Sequence, residues 1–295
     1  MALLVVVLAG LFTGTVVVLA RAGIRVPQLL NQPSQQKILI DLWKAKNYQE
    51  VVRITDEILT KDAMEAGALT FNGFASFYLG MSQASIEDRL PYLSKAVQSL
   101  RRARLCARCA LRGEAEYILG KAYYHRGKFY YDQAAVHLQN SLDASYTGDD
   151  THEYLGLAYS GLGKYEESLK HFEAAIEKRP SDLLYLTLAQ THYQLEDYTA
   201  AEEYLLRCVN SATDTAILQK AHSMLGGIYL QRKDYLKAES HFQKLLDYNA
   251  KSAEACFSLG EIYFALGDTA KARAFWRRTL AAEPKHYGAL RRLYG

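Results

Sequence analysis

Residues 155–180 read LGLAYSGLGKYEESLKHFEAAIEKRP. Two helical periods meet in this stretch. Leu155, Tyr159 and Leu162 share one face of a first helix, and Ser168, Phe172 and Ala175 share one face of a second. Gly163 sits where the chain reverses, and Pro180 marks the stop. Small residues at Gly156 and Ser168 let the two helices approach closely, while the ring of Phe172 is expected to fill space against the next unit.

The pattern recurs on both sides. Downstream it appears as Leu225-Gly226, Tyr229, Tyr235, Ala238 and Phe242, then as Leu259-Gly260, Tyr263, Gly267, Ala272, Trp276 and Pro284. Gly226 to Gly260, Ala238 to Ala272 and Phe242 to Trp276 are all steps of 34 residues. Upstream, Leu119-Gly120, Tyr123, Gly127, Tyr131, Ala134 and Leu138 form an earlier copy, and Tyr131 to Tyr165 is again 34. Weaker copies run through Ala189, Tyr198, Ala201 and Leu205, through Gly73, Gly80, Ala96 and Leu100, and through Leu39, Trp43, Tyr48 and Val51. A two-helix unit of this size cannot bury its apolar face alone, so neighbours must stack.

These residues resemble the tetratricopeptide repeat (TPR), a helix-turn-helix unit of about 34 residues. The resemblance implies an all-α fold: a right-handed α-solenoid of about seven units over residues 35–295, with a short C-terminal capping helix from Lys285. The units fall near 32–65, 66–112, 113–148, 149–181, 182–218, 219–252 and 253–286. The second unit departs from the pattern. Gly163 to Ser168 is five residues but Gly80 to Ala96 is sixteen, so an insertion lies around 81–92, MSQASIEDRLPY. It is expected to protrude as a loop or to extend the second helix, with Pro91 tolerated near a helix start.

Residues 2–20, ALLVVVLAGLFTGTVVVLA, carry no charge. As a helix they would be about 28 Å long, enough for one membrane span. Residues 1–22 therefore read as a transmembrane helix or uncleaved signal anchor and 23–34 as a linker holding Pro27 and Pro33. A cleaved signal peptide ending at Ala22 competes, which would leave a secreted peptide-binding module. The run lacks leading basic residues and exceeds a typical signal core. Arg21 and Arg25 follow the span, favouring a soluble domain on the cytoplasmic side of a bacterial inner membrane over a periplasmic one. Gly10 and Gly14 form a small-xxx-small pair, which admits a homo-oligomer as well as chance.

The frame disposes of several apparent sites. Cys106 and Cys109 form a CxxC, but Cys208 and Cys256 stand alone, so a zinc set lacks spacing; disulfide exchange lacks its usual βαβ context. A redox or metal protein stays as a minor alternative, and no cofactor is expected. Of the 22 tyrosines, Tyr123, Tyr159, Tyr229 and Tyr263 share one repeat position and Tyr131, Tyr165, Tyr198 and Tyr235 another, and the tyrosines read mostly as architecture. No phosphate-cradling glycine loop, HExxH or nucleophile elbow occurs, so no enzymatic activity is expected.

In solenoids of this type the first helices line a concave groove. Side chains one turn from the packing residues are then expected to face a ligand: Phe74, Phe77, Tyr78, Tyr117, Lys121, Tyr124, His125, Gln190, Tyr193 and Gln194. Members of the family that clamp a C-terminal carboxylate do so with Lys, Asn and Arg on three first helices. Only Lys121 and Lys220 stand at suitable places here, which argues against that ligand. The chain has a net charge of +3, unevenly spread. Residues 95–112 carry Lys95, Arg101, Arg102, Arg104, Arg108 and Arg112 without an acid, and 269–295 carry seven Lys and Arg against Glu283. Arg101, Arg104, Arg108 and Arg112 would form a stripe if the helix continued that far. Such a patch suits an acidic protein surface or anionic lipid; nucleic acid is not expected. The combined expectation is a non-enzymatic, membrane-anchored scaffold or adaptor that collects partner proteins. By resemblance, it would assist envelope biogenesis or surround a membrane machine, with a periplasmic scaffold of the flagellar motor as the alternative.

Overall fold

The computed structural model describes residues 33–106, 109 and 111–295. The expected anchor, its GLFTG pair, the flanking Arg21 and Arg25, nearly all of the linker, and Arg108 lie outside the described residues. Among the described residues there are fifteen α-helices, one 3-10 turn and no strand. No helix among them is long and apolar enough to cross a membrane.

The chain divides into two compact units, at residues up to His171 and from Phe172 onward. The first holds α1 (Pro33–Lys44), α2 (Tyr48–Lys61), α3 (Ala66–Met81), α4 (Ile86–Leu105), α5 (Arg112–His125), the 3-10 turn Lys128–Tyr130, α6 (Tyr131–Asp143), α7 (Thr151–Gly161) and the start of α8 (Tyr165–Lys178). The second continues with α9 (Asp182–Gln194), α10 (Tyr198–Ser211), α11 (Thr215–Gln231), α12 (Tyr235–Tyr248), α13 (Ala253–Ala265), α14 (Thr269–Ala282) and α15 (Tyr287–Tyr294). Within each unit consecutive helices pack against each other. First helices also lie side by side: α3 with α5 and α5 with α7 in the first unit, and α9 with α11 in the second.

A short turn code joins the pairs. Lys46, Glu196 and Lys233 adopt a left-handed conformation (φ 55°, 60° and 61°), as do Gly163 and Gly267. At four of these five turns the next residue is an Asx N-cap: Asn47 Oδ1 accepts from Glu50 N, Asp197 Oδ1 from Ala200 N, Asp234 Oδ1 from Lys237 N and Asp268 Oδ1 from Lys271 N. Each cap satisfies a backbone donor that the first turn of a helix leaves open.

Close approach inside a pair depends on missing side chains. A Cβ on Gly120 would lie 2.6 Å from Leu138 Cγ and 3.0 Å from its backbone nitrogen; one on Gly260 would lie 2.4 Å from Trp276 Nε1. Phe242 and Trp276 thus fill the space opened by Gly226 and Gly260 of their own pair, rather than only the gap to the next unit. In the pair of α7 and α8, the Ser168 hydroxyl donates to the Gly156 carbonyl at 2.8 Å.

Above this layer, tyrosines of first helices stack on rings of second helices. Tyr123 lies on His137 at 5.3 Å, Tyr159 on His171 at 5.5 Å, Tyr229 on His241 at 5.4 Å and Tyr263 on Phe275 at 5.4 Å.

The insertion near 81–92 lengthens a helix. Only Ser82–Ser85 is left as a connection, and α4 runs for 20 residues where α2, α6 and α8 have 14, 13 and 14. Ser85 caps it, accepting from Asp88 N at 3.0 Å and donating to the Asp88 carboxylate at 2.8 Å. Pro91 is the sixth residue of α4, within the second turn. Having no N–H, it costs the helix the bond to the Glu87 carbonyl.

Two buried polar relays cross the first unit. Asn72 of α3 is fully buried; it donates to Thr55 Oγ1 at 2.9 Å and Asp56 Oδ1 at 2.8 Å of α2, and accepts from Ser99 of α4 at 2.8 Å. Glu116 of α5, only 2% exposed, faces Arg104 Nε of α4 at 2.5 Å and His137 Nδ1 of α6 at 2.7 Å. Burial works to raise the Glu116 carboxyl, but the His137 hydrogen bond and the Arg104 charge outweigh it and hold the group below the usual carboxylate range.

Candidate binding face

The first helices of the first unit differ in how much surface they have left to offer. Helix α3, AGALTFNGFASFYLGM, carries no charged side chain and is buried on nearly all sides, as expected of a helix that is largely apolar all round. Phe74 and Phe77 are 1% and 2% exposed and belong to the core. This corrects their placement in a groove. Helices α2, α4 and α5 all pack on α3, and the Trp43 ring of α1 lies 6.1 Å from those of Phe71 and Phe74. Tyr78, half-buried, stacks on Tyr48 at 5.1 Å.

Helix α5 supplies most of the face. Tyr117 is 4% exposed and Lys121 8%, so both are turned inward rather than presented. Lys121 Nζ bonds Asp150 Oδ2 at 2.7 Å and the Tyr117 hydroxyl at 3.1 Å, and Tyr117 donates to Asp150 Oδ1 at 2.5 Å. Three rings surround the ammonium: Tyr154 at 4.6 Å, Tyr117 at 5.0 Å and Phe77 at 5.8 Å. This lysine is therefore engaged within its own chain and has no free charge for a ligand carboxylate. Lys220, the other candidate for such a clamp, is an exposed residue of α11.

Tyr124 and His125 are half-buried at the open side of α5. Tyr124 stacks on Tyr131 at 5.1 Å and meets Tyr154 edge-on at 5.1 Å, and burial pushes its phenol up to about 12. His125 Nε2 is 2.9 Å from the Tyr154 hydroxyl. Burial first, then the Lys121 and Arg89 charges, lower its imidazole to about 4, so the ring is neutral at physiological pH.

Gln190 and Tyr193 are half-buried and Gln194 is exposed on α9 in the second unit, where Tyr193 meets Tyr198 edge-on at 5.2 Å. The ten expected groove residues thus separate into a core pair, an internally satisfied cluster around Lys121, and a remainder on two units.

Beside the Lys121 cluster lies a narrow cleft with space for about one water-sized group, lined by Trp43, Phe74, Tyr78, Glu114, Tyr117, Ile118 and Tyr146. Trp43, Glu114 and Tyr146 escaped sequence reasoning, as did Asp150 and Tyr154. Two histidine pairs escaped too: His152 and His171 face each other Nδ1 to Nδ1 at 3.0 Å, and His222 and His241 do so at 2.9 Å. Their common spacing of 19 residues, repeated 70 residues later, was the available signal.

The basic stripe is interrupted. Helix α4 ends at Leu105, with Cys106 extended, and Arg112 opens α5 instead of continuing the row. Arg104 is held by Glu116 and Arg102 by the Ala63 carbonyl, which leaves Arg101 and Arg112 exposed. Cys106 and Cys109 are free thiols, and burial above all raises both. That is opposite to the lowered thiol of a disulfide-exchange nucleophile.

Comparison with known proteins agrees with this architecture. Two family models, both described as tetratricopeptide repeat, match residues 155–215 and 229–294. The chain therefore carries tetratricopeptide repeats. No curated protein matches it. Among solved structures, the C-terminal part of a TPR repeat-containing protein from Cytophaga hutchinsonii superposes with a TM-score of 0.64 at 17% identity, covering 88% of this chain and 99% of that one. YrrB, described as a TPR protein with an unusual peptide-binding site, gives 0.53 at 18% identity over 68% of this chain and 96% of its own. MamA from Desulfovibrio magneticus RS-1 gives 0.52 at 17% identity over 60% and 97%. At these identities the likeness is one of fold.

Proposed function

We propose that this protein is a non-enzymatic scaffold that holds an extended or helical segment of a partner protein along its first helices. The observation that carries this reading is that first helices keep aromatic and amide side chains outside the core: half-buried Tyr124 and His125 on α5 in the first unit, and, separately, half-buried Gln190 and Tyr193 with exposed Gln194 on α9 in the second. Rings and amides of this kind anchor apolar side chains and backbone groups of a bound segment. The peptide-binding site in the description of YrrB, a structure of the same fold, supports it.

Two parts of the proposal concern placement. Residues 2–20 anchor the chain in a bacterial inner membrane with the repeats on the cytoplasmic side, and the scaffold serves assembly of an envelope or membrane machine. The exposed Arg101 and Arg112 add attraction for an acidic partner surface or anionic lipid.

A photo-crosslinking amino acid at Tyr124 or Tyr193 is expected to trap a discrete partner, while one at exposed Leu236 on a second helix is not. Equal crosslinking at all three positions would refute the first-helix face. Protease accessibility in intact cells, permeabilised cells and inverted vesicles tests the placement, and digestion on opening the outer layer alone would move the repeats to the periplasm.

A further inference from the structure

We propose that the outer face of α4 is a self-association surface, on which a second copy of this chain lays its own α4 antiparallel. The inference is independent of the first-helix face.

Helix α4 is the longest of the described helices, at 20 residues or about 30 Å. One side of it, with Leu93, Ala96, Leu100 and Ala103, is buried in the first unit. The opposite side carries a stripe of six exposed residues, Glu87, Leu90, Ser94, Gln98, Arg101 and Leu105. Steps of three and four residues keep them in one row along the helix. Ile86 extends the row at its N-terminal end, and Ile86, Leu90 and Leu105 are 64%, 37% and 78% exposed.

Charges on the flanks of the stripe are used within the chain: Lys95 by Asp56, Arg102 by the Ala63 carbonyl and Arg104 by Glu116. The stripe itself is unspent. Among the described residues, the side chains of Glu87, Ser94, Gln98 and Arg101 make no hydrogen bond or ion pair.

The order of charge along the row points to its occupant. An acid, Glu87, stands at the N-terminal end and a base, Arg101, near the C-terminal end, with uncharged Ser94 and Gln98 between them and exposed apolar side chains at both ends. A matching helix must carry the reverse order, and the same stripe turned end for end does so. A two-fold axis level with Ala96 sets Ser94 against Gln98 of the second copy, Leu90 against the aliphatic stem of its Arg101, and Glu87 against its Leu105, one turn from its Arg101. Each contact then occurs twice, and the pair closes on itself. A parallel pairing would oppose Glu87 to Glu87 and Arg101 to Arg101, so charge fixes the direction. Ser94, small and central, lets the axes come to the roughly 8–10 Å of packed helices. A strip one helix wide lies at the low end of specific interfaces, so the dimer is weak in dilute solution, with a Kd of about 10–100 μM.

The test uses the full chain in detergent micelles, as two differently tagged copies mixed at about 100 μM. A photo-crosslinking amino acid at Leu105 is expected to join the other copy near residue 87. Attachment near residue 105 instead, or no crosslinked dimer, would overturn the proposal. Sedimentation should show Glu87→Arg and Arg101→Glu each weakening association about tenfold at an unchanged urea midpoint, because both side chains are exposed, and the double variant restoring it. Single variants that associate as the parent does, the result expected of a dimer held through residues 2–20, would sink the α4 surface. So would a double variant as weak as the single ones.

Discussion

Gly226 and Gly227 are neighbours on α11, and replacing each by alanine should affect stability differently. Both substitutions gain the same helix propensity, about 1 kcal/mol for Gly to Ala in a helix interior. Their surroundings differ. A Cβ at Gly227 meets nothing within 4 Å, so the gain is kept. A Cβ at Gly226 would lie 2.8, 2.9 and 3.0 Å from three atoms of the Phe242 ring, distances at which the ring must move. Phe242 is 2% exposed and belongs to the packed core, so the overpacking cost of about 1–3 kcal/mol applies. Gly227→Ala should therefore stabilise by about 1 kcal/mol, while Gly226→Ala should be neutral or destabilise by up to about 2 kcal/mol. Urea unfolding followed by far-ultraviolet circular dichroism measures both against the parent. The difference between the variants cancels propensity and isolates the ring contact. Adding Phe242→Leu to each variant shortens the clashing side chain, and the Gly226→Ala penalty should shrink in that background. Should Gly226→Ala prove as stable as Gly227→Ala, the close approach of α11 and α12 would be refuted.

Three more outcomes are expected. Arg104→Ala should destabilise by about 2–4 kcal/mol in urea, because it leaves the buried Glu116 with less compensation, whereas Arg101→Ala, on the exposed side of the same helix, should stay within about 0.5 kcal/mol. His171 and His241 are both lowered to about 4, first by burial and then by their partners His152 and His222. The unfolded chain therefore binds more protons than the folded one between about pH 6.5 and 4, so stability falls as pH drops through that window; His241→Gln should flatten the profile, and an unchanged slope would count against the pairing. Asp197→Ala and Asp234→Ala should each lower the urea midpoint by the equivalent of about 1 kcal/mol, the value of an N-cap, and the pair should add.

The repeat architecture could be read from the sequence because its determinants are close together along the chain. Gly260 and Trp276 are 16 residues apart, and the contact between them recurs 34 residues earlier as Gly226 and Phe242. Any single pair is weak evidence, but its repetition at a fixed step is not. The candidate face was less legible because its members meet across stacked pairs. Lys121 finds Asp150, 29 residues later, and Tyr154 beyond it, and that partnership decides that the lysine is spent internally. Phe74 and Phe77 have the right helical phase for a groove, yet Trp43, roughly thirty residues earlier, closes over the Phe74 side of α3. Arg104 looked like one charge of a surface stripe until Glu116 was seen beneath it. In each case the deciding partner sits on another helix pair at a separation that the repeat period does not mark.

Stacked repeats face a hazard that other folds avoid: every helix pair resembles every other, so a first helix can dock on the wrong second helix at little loss of apolar contact. The relay through Asn72 makes such an exchange costly. Only α2 offers Thr55 and Asp56, and only α4 offers Ser99, at the positions that satisfy both ends of that amide. Glu116 sets the same condition for α4, α5 and α6 through Arg104 and His137. A mispaired arrangement would bury an unsatisfied amide or an uncompensated carboxylate, at about 1–3 kcal/mol or more for each. Polar groups that add little to the native state's depth can thus act as address labels, telling near-identical helices which neighbour is theirs.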